Sequence, residues 1–145
     1  MLLLPKFRLL AATLATLLLV SCAKEEKPVL PHTLVNIIIS TNMPDYISLQ
    51  NPATGVKISY YNSLPVGYLG NGVIVYNSLE GFKAYDATCP NSDFKSIKIV
   101  DQIYGECPSC KTRYSLESGF AMGKGNLHLQ RYSVMSNGEY LNIYN

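Results

Sequence analysis

Beyond residue 34 the chain contains no convincing long amphipathic helix. It is a series of short β-branched and aromatic runs cut by turn residues. Val35-Asn36-Ile37-Ile38-Ile39 is the first. Val73-Ile74-Val75-Tyr76 is continuously apolar and flanked by Gly72 and Asn77, which suits a buried strand. Phe82, Ala84 and Tyr85 follow the turn residues Glu80-Gly81, as in a hairpin. Ile97-Lys98-Ile99-Val100, Ile103-Tyr104, Arg113 to Leu116, Gln130 to Val134 and Tyr140 to Tyr144 complete the set. Turn signals stand at Asn71-Gly72, Ser118-Gly119, Gly123 to Asn126 and Asn137-Gly138. The predicted fold class is all-β, with small antiparallel sheets stacked or rolled into a partial barrel. Most of the 11 tyrosines lie in these runs. Half-buried sheet packing accounts for them better than a ligand-stacking platform does.

The start of the chain has a different character. Lys6 and Arg8 supply positive charge, and Leu9 to Val20 is an apolar run too short to span a bilayer comfortably. A buried core helix would also be apolar, but it would not begin at residue 2 beside positive charge. Leu19-Val20-Ser21-Cys22 resembles the lipobox of bacterial lipoproteins. The resemblance implies cleavage before Cys22, diacylation of its thiol and a membrane-anchored protein of the cell envelope, on the periplasmic side or the outer-membrane surface. An uncleaved anchor helix would leave the domain on the same side. The predicted organisation is a signal peptide over 1–21, a lipidated flexible tether over 22–33 and a β domain over 34–145. Lys24-Glu25-Glu26 resembles the surface-export signals of Bacteroidetes lipoproteins, and it reads equally as a solvated linker.

Without residues 1–21 the chain has 124 residues, enough for one domain with a modest core. It then carries 10 Lys+Arg against 10 Asp+Glu, so no basic footprint argues for nucleic acid. Three cysteines remain, Cys89, Cys107 and Cys110. Outside the cytoplasm, thiols tend to become disulfides or metal ligands, and an odd number leaves one over after pairing.

These cysteines sit in the most informative stretch, as Cys89-Pro90-Asn91 and Cys107-Pro108-Ser109-Cys110 with 15 residues between. Tyr114, Gly119, Gly123, Leu129, Tyr132 and Val134 follow at telling intervals. Gly67-Tyr68-Leu69-Gly70 and Ala84-Tyr85-Asp86 precede them. Together they resemble the Rieske family, and upstream the Rieske-like lipoproteins of Bacteroidetes. The family pairs Cys-x-His with Cys-x-x-His across a spacer of about this length. The resemblance implies a small antiparallel β domain with two cysteine loops at one end, clamping a [2Fe–2S] cluster that passes electrons to or from a partner protein. Carried over by position, Cys89 and Cys107 match the inner-iron thiolates. Both histidine positions depart, the first to Asn91 and the second to Cys110. Cys110 can ligate iron, whereas Asn91 offers only a weak amide ligand.

Three readings follow. The first is a modified [2Fe–2S] centre on Cys89, Cys107, Cys110 and, weakly, Asn91, in an electron carrier or accessory subunit. The second is a cluster-free Rieske fold closed by a Cys107–Cys110 disulfide, or by Cys89–Cys107, with a binding or structural role. The third is a zinc site on the three cysteines, with His128 or water as fourth ligand. His32 falls in the tether, and His128 reads as a solvated residue before a strand. Asp86 is expected to organise the turn before Cys89, not to move protons. No Gly-x-Ser-x-Gly elbow occurs and neither histidine has an evident partner, so a hydrolase is disfavoured. An enzyme acting alone is the less expected outcome.

Overall fold

The computed structural model describes residues 29–123 and 125–145. The signal segment, the lipidation at Cys22 and the part of the tether up to residue 28 that the sequence leads one to expect lie outside the described residues. The described residues form twelve strands: β1 (Asn36–Ser40), β2 (Thr54–Ile58), β3 (Tyr60–Tyr61), β4 (Leu64–Pro65), β5 (Val73–Ser78), β6 (Gly81–Asp86), β7 (Lys98–Val100), β8 (Tyr104–Glu106), β9 (Arg113–Ser115), β10 (Ala121–Met122), β11 (Arg131–Ser136) and β12 (Tyr140–Tyr144). The helical pieces among the described residues are short 3₁₀ turns at Ile47–Gln50 and Tyr68–Gly70. None is long and apolar enough to cross a membrane.

The strands form a six-stranded sheet in the order β1-β12-β11-β6-β5-β2 and a four-stranded sheet in the order β10-β9-β8-β7, with β3 and β4 as a separate hairpin. All pairings are antiparallel. The all-β class and the arrangement of small antiparallel sheets are those the sequence predicts. β11 divides its length: Arg131 and Tyr132 pair with β6, and Ser133 to Ser136 pair with β12.

β5 explains how the layers are held. Side chains alternate across a strand, so Val73 and Val75 face one core while Ile74 and Tyr76 face the other. All four are buried. An unbroken apolar run is therefore required, and polar alternation would expose one core to water. The first core lies under β1, β12 and β5. The second lies between the two sheets and includes Cys89 and Cys107, so two of the three cysteines are core side chains.

The chain begins to pack before the first strand. The Val29 amide donates to Gln130 Oε1 at 2.9 Å. Leu30 is buried, and Asn145 holds the Thr33 carbonyl and the Val35 amide at 2.6 and 3.0 Å.

Gly119 is required by geometry. It sits at φ +79°, and a Cβ there would come within 2.6 Å of Cε1 of the fully buried Tyr85. Both the backbone and the rigid ring refuse a side chain. Gly119→Ala is expected to cost about 2 kcal/mol or more, read as a lower urea midpoint at unchanged slope.

Candidate metal centre at the cysteine end

The approach to Cys89 is fixed by Asp86 at the end of β6. Its carboxylate is fully buried and accepts three hydrogen bonds: from the Tyr132 hydroxyl at 2.6 Å, the Tyr68 amide at 2.6 Å and the Thr88 amide at 2.9 Å. The bond to Thr88 shapes the turn into the first loop, the role the sequence assigns to Asp86. Burial and the neighbouring carboxylate together push the Tyr132 hydroxyl well above its usual range, so it stays a donor. The first loop then closes on itself. Thr88 bridges Ser96, the Cys89 amide donates to the Lys95 carbonyl at 2.8 Å, and the Ile97 amide donates to the Ala87 carbonyl at 2.7 Å.

The second loop is the tip of the β8–β9 hairpin. The Cys107 amide donates to the Thr112 carbonyl at 3.0 Å, and the Lys111 amide returns to the Cys107 carbonyl at 3.0 Å. Lys111 takes φ +59°, which turns the chain back after Cys110.

The two loops bring Cys89, Cys107 and Cys110 together, with all three sulfurs within 4.8 Å of one another. Cys89 and Cys107 are buried and Cys110 is partly exposed. All three are free thiols. The anticipated Cys107–Cys110 bridge is not observed, nor is Cys89–Cys107. Cys110 turns across the loops instead. Its sulfur lies 3.6 Å from Cys89 Sγ and 3.1 Å from Thr112 Oγ1.

Environment separates the thiols. Burial pushes Cys89 up to about 12, against hydrogen bonds from the Tyr114 hydroxyl and the Asn91 amide. Burial acts on Cys110 in the same direction. There the Thr112 hydroxyl and amide outweigh it, aided by the Cys107 and Cys89 thiols, and bring Cys110 down to about 7. Thiolate is the reactive form and grows in above the pKa. In the metal-free, reduced protein, iodoacetamide is therefore expected to modify Cys110 with a rate that rises with pH and is half-maximal near 7. Cys89 should stay unmodified across that range; peptide mass mapping distinguishes the two.

Asn91 has a different task from the weak ligation considered for it. Nδ2 donates to the Tyr114 hydroxyl at 2.9 Å and to the Leu127 carbonyl at 2.8 Å. Oδ1 accepts from the Asn126 and Leu127 amides at 3.3 and 3.1 Å. An amide has two donor hydrogens and two acceptor sites, and all four are engaged. Asn91 thus clamps the first loop to a third, over residues 125–127. Gly125 lets that loop approach, since a Cβ there would lie 3.0 Å from Asn91 Cγ.

Tyr114 completes the arrangement: the sequence places it in the Rieske-like pattern as an aromatic ring, and the role of its hydroxyl escapes that reading. Fully buried on β9, it accepts from Asn91, and its oxygen lies 3.2 Å from Cys89 Sγ. Burial, then the contact with Cys89, raises its pKa far above the phenolic range, so the hydroxyl stays protonated beside the sulfur. His128 is exposed; its ring stacks on Phe120 at 4.4 Å, and Nδ1 accepts from the Ala121 amide at 3.5 Å. It does not belong to the sulfur group, and His32 does not either.

Three thiolates in this arrangement can hold a metal. They fit a [2Fe–2S] cluster poorly. Such a cluster takes four protein ligands shared between two irons. Here Cys110, among the described residues the candidate for the outer iron, is in contact with the inner-iron candidate Cys89, and the side-chain oxygen of Asn91 has no free lone pair.

No protein-family model matches the chain. No curated protein matches it either. Solved structures similar to it include a chain from the complex of reduced oxygenase and oxidised ferredoxin in carbazole 1,9a-dioxygenase. That likeness has 14% identity and a TM-score of 0.48 over 77% of this chain and 92% of that one. The ferredoxin of carbazole 1,9a-dioxygenase from Nocardioides aromaticivorans is similar at 15% identity and TM-score 0.45, over 77% and 97%. A ferredoxin from Sphingomonas yanoikuyae is similar at 16% identity and TM-score 0.44, over 67% and 92%.

Proposed function

We propose that this chain is a Rieske-like, metal-binding lipoprotein of the cell envelope, anchored through Cys22, that serves a redox partner protein as carrier or accessory subunit. The convergence of three cysteine sulfurs from two separate loops carries the reading. Three unbonded thiols held together, two of them buried, are a ready set of ligands for a thiophilic ion. Anchoring rests on the lipobox resemblance at Leu19 to Cys22. The role beside a redox partner rests on the loop spacing that resembles the Rieske family.

The test is metal and acid-labile sulfide analysis, with a visible spectrum, on protein purified without oxygen from cells able to assemble iron–sulfur clusters. Bound metal is the expected result. Colour bleached by reductant would make the domain a carrier, and colourless metalloprotein would make it an accessory subunit. Metal-free protein that stays metal-free after reduction and reconstitution would contradict the reading. A second reading, a metal-free fold closed by oxidation, draws on one contact, the 3.6 Å between the Cys89 and Cys110 sulfurs. It predicts a bridge between those two residues and a single remaining thiol within the domain.

A further inference from the structure

We infer that the cysteine end is a mononuclear site, holding one thiophilic d¹⁰ ion of the zinc(II) or copper(I) class on Cys89, Cys107 and Cys110. This rests on the metal-binding reading above and narrows it, because it replaces the two-iron cluster that the loop spacing implies.

Distance is the first argument. With metal–sulfur bonds of about 2.3 Å, sulfurs on one tetrahedral ion lie roughly 3.8 Å apart. Cys89 and Cys110 are 3.6 Å apart, and no sulfur of the three is beyond 4.8 Å from another. Ligands on two different irons must also span the irons and their bridging sulfides, so they stand farther apart than ligands on one ion. Here the residue that would hold the outer iron touches the residue that would hold the inner one.

The donor set is the second argument. Among the described residues the group contains sulfur only, with no imidazole and no carboxylate. Soft donors without oxygen or nitrogen select soft ions. Asn91, the position from which a fourth protein ligand would come, is consumed by four hydrogen bonds to Tyr114, Asn126 and Leu127.

Surroundings are the third. Cys89 and Cys107 are sealed in the second core, so the ion enters, and any solvent ligand sits, on the side of the partly exposed Cys110. Binding releases the thiol protons to water and leaves three thiolates around the ion. The Tyr114 hydroxyl at Cys89, 3.2 Å away, and the Thr112 hydroxyl at Cys110, 3.1 Å away, then donate to sulfur and offset the excess negative charge.

The experiment uses the full chain, matured and lipidated in cells that assemble iron–sulfur clusters, solubilised in detergent and purified without oxygen. Metals and acid-labile sulfide are counted first. The stripped, reduced protein is then titrated with cobalt(II), whose thiolate charge-transfer absorption reports sulfur ligation. Competition with zinc(II) and copper(I) follows, and displacement by either supports the class. The expected result is one metal and no labile sulfide per chain, with cobalt absorption saturating at one equivalent. Cys110→Ala should weaken binding by about 100-fold or more, and His128→Ala, outside the sulfur group, should leave the stoichiometry at one. Two irons with two sulfides would overturn the inference while leaving the metal-binding reading standing. A folded, reduced chain that binds none of these ions defeats both. Unchanged affinity in Cys110→Ala, or loss of the cobalt band in His128→Ala that still melts cooperatively, would also overturn the inference.

Discussion

Asp86→Ala is expected to lower the stability of the domain by about 3–5 kcal/mol, the largest effect of any single polar substitution considered. The reason is asymmetry. A satisfied buried carboxylate adds modest net stability, but its removal strands its donors away from water. Three are stranded here: the Tyr132 hydroxyl on β11 and the amides of Tyr68 and Thr88. They come from three separate parts of the chain, so the loss spreads from the six-stranded sheet to the first cysteine loop. Asp86→Asn keeps one acceptor oxygen and points an NH₂ at another donor, so its cost should be about half as large. Equilibrium urea unfolding checks both. A loss under about 1 kcal/mol for the alanine variant would mean that Asp86 does not hold these elements together.

Asn91→Ala is expected to cost about 2–4 kcal/mol, because four hydrogen bonds disappear and the first loop comes free of residues 125–127. The consequence is local. Amide hydrogen exchange should speed up at Asn126 and Leu127, whose N–H groups lose their acceptor, while β1 and β12 on the far side of the six-stranded sheet keep their protection. Asn91→Asp separates the two halves of the clamp. The carboxylate still accepts from Asn126 and Leu127, but it faces the Leu127 carbonyl with no donor. A carboxylate that performs as well as the amide would show that the donations to Tyr114 and Leu127 are dispensable.

These residues also show how far the sequence speaks for itself. β5 is legible because Val73 to Tyr76 must be apolar on both faces, and that demand is written as an unbroken run. The β5–β6 hairpin, β1, β11 and β12 are legible through alternation and turn residues. β2 is not. Thr54-Gly55-Val56-Lys57-Ile58 carries a glycine and a lysine where a strand pattern wants β-branched residues. The structure supplies the reason. A Cβ on Gly55 would lie 3.2 Å from a Leu116 methyl and 3.3 Å from the Gln102 carbonyl, so the packing opposite leaves little room for a side chain. Lys57 reaches across to the Ser96 hydroxyl and the Ile97 carbonyl, tying this edge strand to the end of the first loop.

At the candidate site, the convergence of Cys89, Cys107 and Cys110 follows from the resemblance of their loops to the Rieske pattern, and Asp86 as organiser of the turn follows from its place before Cys89. The detail that separates a single ion from a cluster does not. It depends on the third loop, about 35 residues downstream of Asn91, whose amides occupy the acceptor oxygen of the Asn91 side chain. It depends also on a hydroxyl of Tyr114 that sequence alone treats as ring.

Three sulfurs meeting at one metal would define this end of the domain. X-ray absorption fine structure at the metal edge of the zinc-loaded, reduced chain measures that geometry. The prediction is a shell of three sulfurs at about 2.3 Å with at most one oxygen ligand. A first shell made only of oxygen and nitrogen, or one with a single sulfur, would contradict it.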